Sequence, residues 1–499
     1  MKDNLNRAVK SGVAWTIVER GALQFLNLLT SMVLARLLAP NDFGVMGLAI
    51  LFTGLATRLV KFGFGMALVQ RETIRPDHVA TMFVMTLIIN SLICVSLLSA
   101  SPFVGAYFGD PLVGEVMAVM SFNFIIRCVG ICPSALLRRE MNFKAMTVGS
   151  ILDYTVKLGL ASILAFRGFG VWSLAYGELA GGMAEKIYLV LAARWWPSLR
   201  ATSAALRDLF GFGMGVSLKS TFIYLSENVD NFIVGKGLGA VSLGFYGKAY
   251  NLMDLPVKEL SARMNTVLFP AFARIHQDPG RLRAAFRKTV LSLSLLCYPV
   301  FGSLIVLAPQ IIHLMYGPKW VSTVVPFQIL CLAGFPRVLT QITSAVINAT
   351  GSVGPEVRRR GVVFILLIIG SWVGSRWGIV GVATAVALVN LVTLALILFL
   401  LVRSCPIALQ DIWGPQGLPV AGALALIGLE KSCQLWTTHV LGWNPFWVLV
   451  ASLTVGCLGY LIVLYFLRNR PLRALTDELI GDVRPILDRL PFAFVKRIR

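Results

Sequence analysis

Long apolar segments, separated by short polar, glycine or proline breaks, recur along the whole chain. A membrane-spanning helix takes roughly 20 mainly apolar residues, so each of these segments is long enough to be one. The pattern predicts helices at residues 12–36, 43–66, 79–101, 112–134, 148–166, 171–193, 209–235, 241–272, 285–309, 325–350, 361–376, 378–402, 418–436 and 445–467. We therefore expect an all-α polytopic membrane protein with about fourteen transmembrane helices.

Composition agrees with this pattern and narrows the functional classes. Of the 499 residues, 57% are hydrophobic and only 14% are charged, far from the mix of a soluble domain. These values exclude a water-soluble enzyme and leave no room for a large extramembrane domain. The eight cysteines and four histidines are scattered, and no phosphate-binding loop or zinc motif occurs. We therefore expect no cofactor, no metal and no ATP hydrolysis, and we interpret the N-terminus as retained.

Lysine and arginine are distributed unequally between the two sides of the predicted membrane. With the N-terminus inside, 28 of the 45 cations fall in inner segments and only six in outer loops. Inner loops of membrane proteins collect Lys and Arg, so this asymmetry places both termini in the cytoplasm. It also explains the net charge of +21 without nucleic acid as a partner.

A short internal repeat occurs at an offset of 200 residues. The matching positions are Leu38, Gly44, Gly47 and Ala49 with Leu238, Gly244, Gly247 and Ala249. Each copy ends one helix and begins the next with the same orientation, so we expect two parallel six-helix lobes that rock in alternating access. The predicted regions are an N-terminal lobe at 1–205, a C-terminal lobe at 206–405, two further helices at 406–467 and a basic tail at 468–499.

Nineteen ionisable residues lie inside the predicted spans. At roughly 3 kcal/mol each, exposing all of them to lipid would cost on the order of 50 kcal/mol, so most must face a hydrated interior or each other. Cations outnumber acids, which suits recognition of an anionic head group such as a diphosphate. The candidate substrate-binding cations are Arg127, Lys219, Lys248, Arg263 and Arg337.

Not every intramembrane charge need serve transport. Asp153 and Lys157 are four residues apart on one helix, and the simpler interpretation of these two is an ion pair. Candidate residues for a coupling ion are Glu227, Asp230 and Glu259. The alternative is that these acids only neutralise neighbouring cations.

Asp42, in the first outer loop, has two interpretations. An acidic residue there could serve a membrane glycosyltransferase. Asn and Asp before an apolar segment are also common helix caps, and capping is the favoured interpretation.

Three segments of the first half, at 34–44, 62–71 and 139–144, together with a motif in the second half, resemble one known family. The motif positions are Asn228, Gly235, Gly244, Tyr246, Pro256, Pro270, Lys319 and Trp320. Over roughly residues 10–405 the chain resembles the polysaccharide transporter family of O-unit flippases, in the superfamily that contains the MATE exporters. The last two helices and the tail match poorly.

The resemblance implies a two-lobed, V-shaped carrier rather than an enzyme. Such a carrier moves an undecaprenyl-diphosphate-linked oligosaccharide to the outer leaflet of a bacterial inner membrane, for exopolysaccharide or lipopolysaccharide synthesis. Candidate partners are membrane lipid and polysaccharide polymerase or export proteins. The alternatives are a MATE-type drug or cation antiporter, a polytopic glycosyltransferase or polymerase, and a carrier of lipid-linked peptidoglycan precursor.

Overall fold

A computed structural model describes residues 2–59, 76–199, 214–263, 268–350 and 353–466. Within these ranges the chain forms helices and contains no strand. The helices of the first part are α1 (Lys2–Leu37), α2 (Pro40–Leu59), α3 (Pro76–Phe108), α4 (Pro111–Ser121), α5 (Asn123–Arg139), α6 (Phe143–Phe166) and α7 (Val171–Ala192). The others are α8 (Met214–Arg263), α9 (Phe269–Ile275), α10 (Pro279–Val306), α11 (Ala308–Tyr316), α12 (Val324–Ala349), α13 (Val353–Gly374), α14 (Gly378–Ser404), α15 (Leu409–Trp413), α16 (Gly417–His439) and α17 (Pro445–Phe466).

The length and hydropathy of these helices confirm an all-α polytopic membrane protein. In the described ranges, nine helical segments are long and apolar enough to cross a membrane. The total of fourteen spans stays a prediction. The predicted tail at 468–499 and the motif segment at 62–71 lie outside the described residues.

Two predicted helices correspond to the single long helix α8. The sequence predicts 209–235 and 241–272, and α8 runs through both but bends at Gly239, where φ is 83°. Only glycine adopts this region without strain, so the break falls at the residue best able to form it. Conversely, the predicted helix at 112–134 is divided at Phe122 into α4 and α5. Phe122 keeps helical dihedral angles, φ −62° and ψ −19°, so this division is only a local interruption.

Helix starts follow local capping chemistry. Asp110 caps α4 by accepting a hydrogen bond from the Leu112 amide, and Asp278 caps α10 by accepting one from the Arg281 amide. In both cases proline comes next, at the first helical position, where its missing N–H costs nothing. Asp-Pro pairs therefore fix where these helices begin.

The chain divides into two compact units. Unit 1 comprises Met1–Leu252, Ile312–Phe327 and Phe364–Val389, and unit 2 comprises Met253–Ile311, Gln328–Val363 and Asn390–Arg499. The lobe limits at 205 and 405 stay a prediction.

In unit 1, α6 and α7 approach closely at small residues. A Cβ atom on Gly177 would lie 2.8 Å from the Ala161 Cβ, and one on Gly181 would lie 2.6 Å from the Asp153 carbonyl oxygen. Small residues allow such close backbone contact between helices in lipid.

The glycines of the internal repeat make a reciprocal contact within unit 1. A Cβ on Gly44 would lie 1.7 Å from the Ala240 carbonyl oxygen, and a Cβ on Gly244 would lie 2.0 Å from the Pro40 carbonyl oxygen. Position 40 thus meets position 244, and position 44 meets position 240. Positions 240 and 244 are the counterparts of 40 and 44 at the offset of 200 residues, so the two contacts are equivalent. A local two-fold relation between the two short copies would give this reciprocity, and the two predicted lobes stay a prediction.

Candidate functional site

Lys248 of α8 lies in a cage of aromatic side chains. The residue is only 8% exposed, and its Nζ donates a hydrogen bond of 2.8 Å to the Ser31 hydroxyl of α1. The Nζ lies 3.9, 5.0 and 5.8 Å from the ring centroids of Phe43, Tyr316 and Trp320. Ring faces attract a desolvated ammonium electrostatically, and no carboxylate among the described residues forms an ion pair with it. We call these five residues the aromatic clasp.

Trp320 anchors the clasp. It is fully buried, and its indole Nε1 donates a 2.8 Å hydrogen bond to the Ala35 carbonyl oxygen near the end of α1. Its ring makes edge contacts with Phe43 and Phe245, at centroid distances of 5.4 and 5.8 Å. Lys319, its neighbour in the sequence motif, is exposed. The clasp therefore joins three segments far apart in sequence, and all of them belong to unit 1.

Other motif residues make contacts within α8 and against α2. The Tyr246 hydroxyl donates a 2.6 Å hydrogen bond to Oδ2 of the buried Asp230, and the Asn228 side chain donates to the Tyr224 carbonyl oxygen at 2.9 Å. A Cβ on Gly235 would lie 2.4 Å from the Leu48 side chain of α2. Asp230, a candidate coupling residue, is thus hydrogen-bonded inside unit 1.

Arg337 and Lys258 share one carboxylate in unit 2. Arg337 Nη2 lies 3.3 Å from Asp254 Oδ1, and Lys258 Nζ lies 3.0 Å from Asp254 Oδ2. Two cations on one carboxylate leave the group with a net charge of +1. The side chains of Arg337 and Lys258 are 20% and 67% exposed, so part of this charge faces outward. Pro256 lies between the Asp254 and Lys258 positions of α8.

Arg127 of α5 is exposed and donates from Nη1 to the Thr57 hydroxyl of α2 at 2.9 Å. No contact in the described part of the chain joins it to Lys248 or Arg337. Glu227, a candidate coupling residue, is also exposed.

The remaining predicted site residues are Lys219, Glu259, Arg263 and Pro270. The side chains of Lys219, Glu259 and Arg263 lie outside the described part of the structure. Pro270 is exposed in the first turn of the short helix α9.

Ion pairs satisfy other intramembrane charges. Lys157 of α6 donates to Glu178 of α7, instead of forming the predicted ion pair with Asp153 of its own helix. Lys186 pairs with its neighbour Glu185. The predicted pairing of Lys157 was right, but the predicted partner Asp153 was wrong, because the partner lies on the next helix.

Asp42 has a structural role at the start of α2. Its Oδ2 accepts a 2.9 Å hydrogen bond from the Ala39 amide, the residue immediately before the helix. This is the contribution of the third helical residue to a capping box. The bond confirms the capping interpretation of Asp42.

The long apolar helices, with ionisable side chains buried among them, place the chain in the class of polytopic helical membrane proteins. The chain belongs to the polysaccharide biosynthesis protein family, whose model matches residues 33–325. It is 25% identical over 407 residues to the lipopolysaccharide biosynthesis protein WzxC of Escherichia coli (strain K12), which covers 80% of this chain and 82% of WzxC.

Two solved structures share the fold. The lipid II flippase MurJ in an inward closed conformation gives a TM-score of 0.68 at 15% identity, covering 91% of this chain and 99% of MurJ. An inward-facing multidrug resistance MATE family transporter of the MOP superfamily gives 0.57 at 15% identity, covering 80% and 95%. The family match and the likeness to WzxC confirm the resemblance to the polysaccharide transporter family, and the two solved structures show a shared fold.

Proposed function

We propose that this protein is a flippase that translocates an undecaprenyl-diphosphate-linked oligosaccharide across a bacterial inner membrane. The cargo serves exopolysaccharide or lipopolysaccharide synthesis, and the movement is alternating access without covalent chemistry. The observation that carries the proposal is the family match over residues 33–325, together with the likeness to WzxC along 80% of the chain.

Two arginines support an anionic head group as the part of the cargo that is bound. Arg337 is oriented by Asp254 within a group of net charge +1, and Arg127 is oriented by Thr57. A guanidinium has five N–H donors in a planar fork that matches phosphate oxygens. Arg127 is exposed and the Arg337 side chain is 20% exposed, so a phosphate group can reach either guanidinium.

A transport assay in cells tests the function itself. Deleting the gene should stop polymer production while a completed lipid-linked glycan accumulates in the inner leaflet. Failure to complete the glycan would instead indicate a transferase or polymerase. Altered drug resistance with normal glycan export would indicate an antiporter.

Variants then test the two arginines. Arg337→Ala and Arg127→Ala, introduced into the deletion strain, should reduce glycan export, whereas Arg337→Lys should restore only part of it because lysine cannot bind bidentately. Arg376→Ala is the matched control, since Arg376 stacks on Trp372 at 5.2 Å and has no proposed role. Wild-type export by both alanine variants would refute the proposed role of these arginines in binding the diphosphate.

The candidate coupling residues need a separate measurement. If Asp230 binds a coupling proton, Asp230→Asn should make export independent of the external pH. Export that keeps the wild-type pH profile would show that Asp230 serves only to accept the hydrogen bond from Tyr246.

Both termini are proposed to lie in the cytoplasm. This orientation rests on the distribution of lysine and arginine. A reporter enzyme that works only in the cytoplasm should be active when it is fused to either terminus. A reporter that works only in the periplasm should be inactive at both. Periplasmic activity at either end would refute the orientation.

A further inference from the structure

A buried glutamate lies in unit 2 beyond the part of the chain that the family model matches. Glu430 of α16 is 0% exposed. Its Oε1 accepts a 2.7 Å hydrogen bond from the Ser303 hydroxyl of α10. On the other side it presses against α17, where a Cβ on Gly456 would lie 2.4 Å from the Glu430 Cγ. The carboxyl group is therefore enclosed between three helices.

The second oxygen of this carboxyl group has no hydrogen-bond partner. Glu430 Oε2 is fully buried, and no donor among the described residues reaches it. Buried polar atoms nearly always have partners, so such an atom calls for an explanation. An ionised carboxylate has about four acceptor sites, and among the described residues Glu430 receives one hydrogen bond, from Ser303.

Cations on the adjoining helix segments do not compensate this group. On α10, the cation nearest to Ser303 in sequence is Lys288, fifteen residues and about 22 Å away along the helix axis. On α16 itself, the Nζ of Lys431 donates to the Gln434 side chain at 3.1 Å. In the described part of unit 2, Glu430 forms no ion pair.

The third helix adds no charge either. The sequence of α17, Pro445–Phe466, contains no Asp, Glu, Lys, Arg or His. Its buried titratable side chain, Tyr460, donates its hydroxyl to the Leu295 carbonyl oxygen at 2.6 Å. The surroundings of Glu430 are thus a hydroxyl group and apolar helix surface.

A second buried glutamate in the same unit shows how an ionised group is accommodated. Glu356 is 3% exposed. It accepts two hydrogen bonds from Arg359, at 2.8 and 2.7 Å, and one from Arg360 at 3.1 Å. Both oxygens are satisfied by cations. Glu430 is also buried, but no cation among the described residues pairs with it, and only one of its two oxygens accepts a hydrogen bond.

We propose that Glu430 is a proton-binding site, and that the bound proton holds α16 and α17 against α10. A neutral carboxylic acid needs no counter-charge and tolerates an apolar enclosure that an ionised one does not. Loss of the proton leaves a bare carboxylate between the helices, which favours their separation or the entry of water. The site is independent of the cargo and stands whether or not the protein is a flippase.

Paired substitutions test the site. Glutamine mimics a protonated glutamate in shape and charge, so Glu430→Gln should keep the wild-type unfolding midpoint in detergent or raise it. Glu356→Gln, the matched control, should lower the midpoint by about 5 °C or more because it strands the nearly buried Arg359. Equal losses in the two variants would overturn the proposal.

The pH dependence has a defined sign. Above about pH 4.3 the unfolded chain releases this proton while the folded protein keeps it. The folding constant of the wild type should therefore fall up to tenfold per pH unit relative to Glu430→Gln, until the folded protein also ionises. A wild type whose stability runs parallel to that of Glu430→Gln from pH 5 to 8 would refute the site.

A measurement that leaves Glu430 unchanged guards against a variant that does not fold. The infrared spectrum of the wild type at pH 6, where exposed carboxyl groups are ionised, should contain the C=O band of a protonated carboxyl group. In Ser303→Ala that band should move to higher wavenumber, because the hydrogen bond to Oε1 is lost. The absence of any carboxyl band that responds to Ser303→Ala would overturn the proposal.

Discussion

Replacing Gly244 by alanine should disrupt the contact between the two copies of the repeat. The added Cβ would lie 2.0 Å from the Pro40 carbonyl oxygen, whereas a relaxed C···O contact is about 3.3 Å or more. The obstructing atom belongs to the backbone, so no side-chain rotation relieves the overlap. The start of α2 must move away from α8 by more than about 1 Å.

The energetic effect follows from this geometry. Overpacking a tight contact costs about 1–3 kcal/mol and sometimes more, and a backbone obstacle places Gly244→Ala at the upper end. Gly247 is three residues further along the same helix, and a Cβ there would meet no atom within 4 Å. Gly247→Ala should therefore stabilise the helix by about 0.5–1 kcal/mol. The two variants should differ by about 3–4 kcal/mol.

Thermal unfolding of the purified protein in detergent, followed by tryptophan fluorescence, measures this difference. Gly44→Ala and Gly47→Ala repeat the comparison in the first copy, because a Cβ on Gly47 would make only an ordinary 3.5 Å contact with Leu243. Equal midpoints for Gly244→Ala and Gly247→Ala would refute the close approach of α2 and α8.

Three further substitutions test the packing of unit 1 by the same unfolding assay. Trp320→Phe should cost about 2–4 kcal/mol, because it leaves a cavity and strands the Ala35 carbonyl oxygen; an unchanged midpoint would contradict this. Tyr246→Phe should cost about 1–3 kcal/mol through the lost hydrogen bond to Asp230, and a smaller loss would show that the bond is weak. Lys248→Met keeps the apolar stem and removes a buried charge, so its midpoint should stay level or rise; a large loss would mean that the ammonium is essential to the clasp.

The helices were predictable because their signal is local. Apolar length alone identified α10, α14 and α17, since lipid requires continuous apolar segments whatever lies next to them. The bend of α8 was also predictable to within a few residues, because glycines at 235, 237 and 239 interrupt the segment. The choice of Gly239 over the other two depends on the neighbouring helices, which the sequence does not display.

The site was less predictable because its contacts are distant in sequence. The clasp brings Ser31 and Phe43 to Lys248 and Trp320, more than 200 residues away. No spacing rule reaches across such a distance. The motif residues identified the segments involved, but a motif does not state which of its side chains will meet.

The contacts of the intramembrane cations qualify the argument from charge to a hydrated interior. Lys157 is satisfied by a carboxylate on the next helix, and Lys248 by rings and a hydroxyl group, so neither requires water. A count of buried charges therefore overstates the number that line an aqueous path. Arg127 and Arg337 are different, because Arg127 is exposed and contacts a hydroxyl group rather than a carboxylate, and Arg337 shares its carboxylate with Lys258. Recognition of an anionic cargo should consequently depend on the two arginines, and export should be far more sensitive to their loss than to the loss of the Lys157 ion pair.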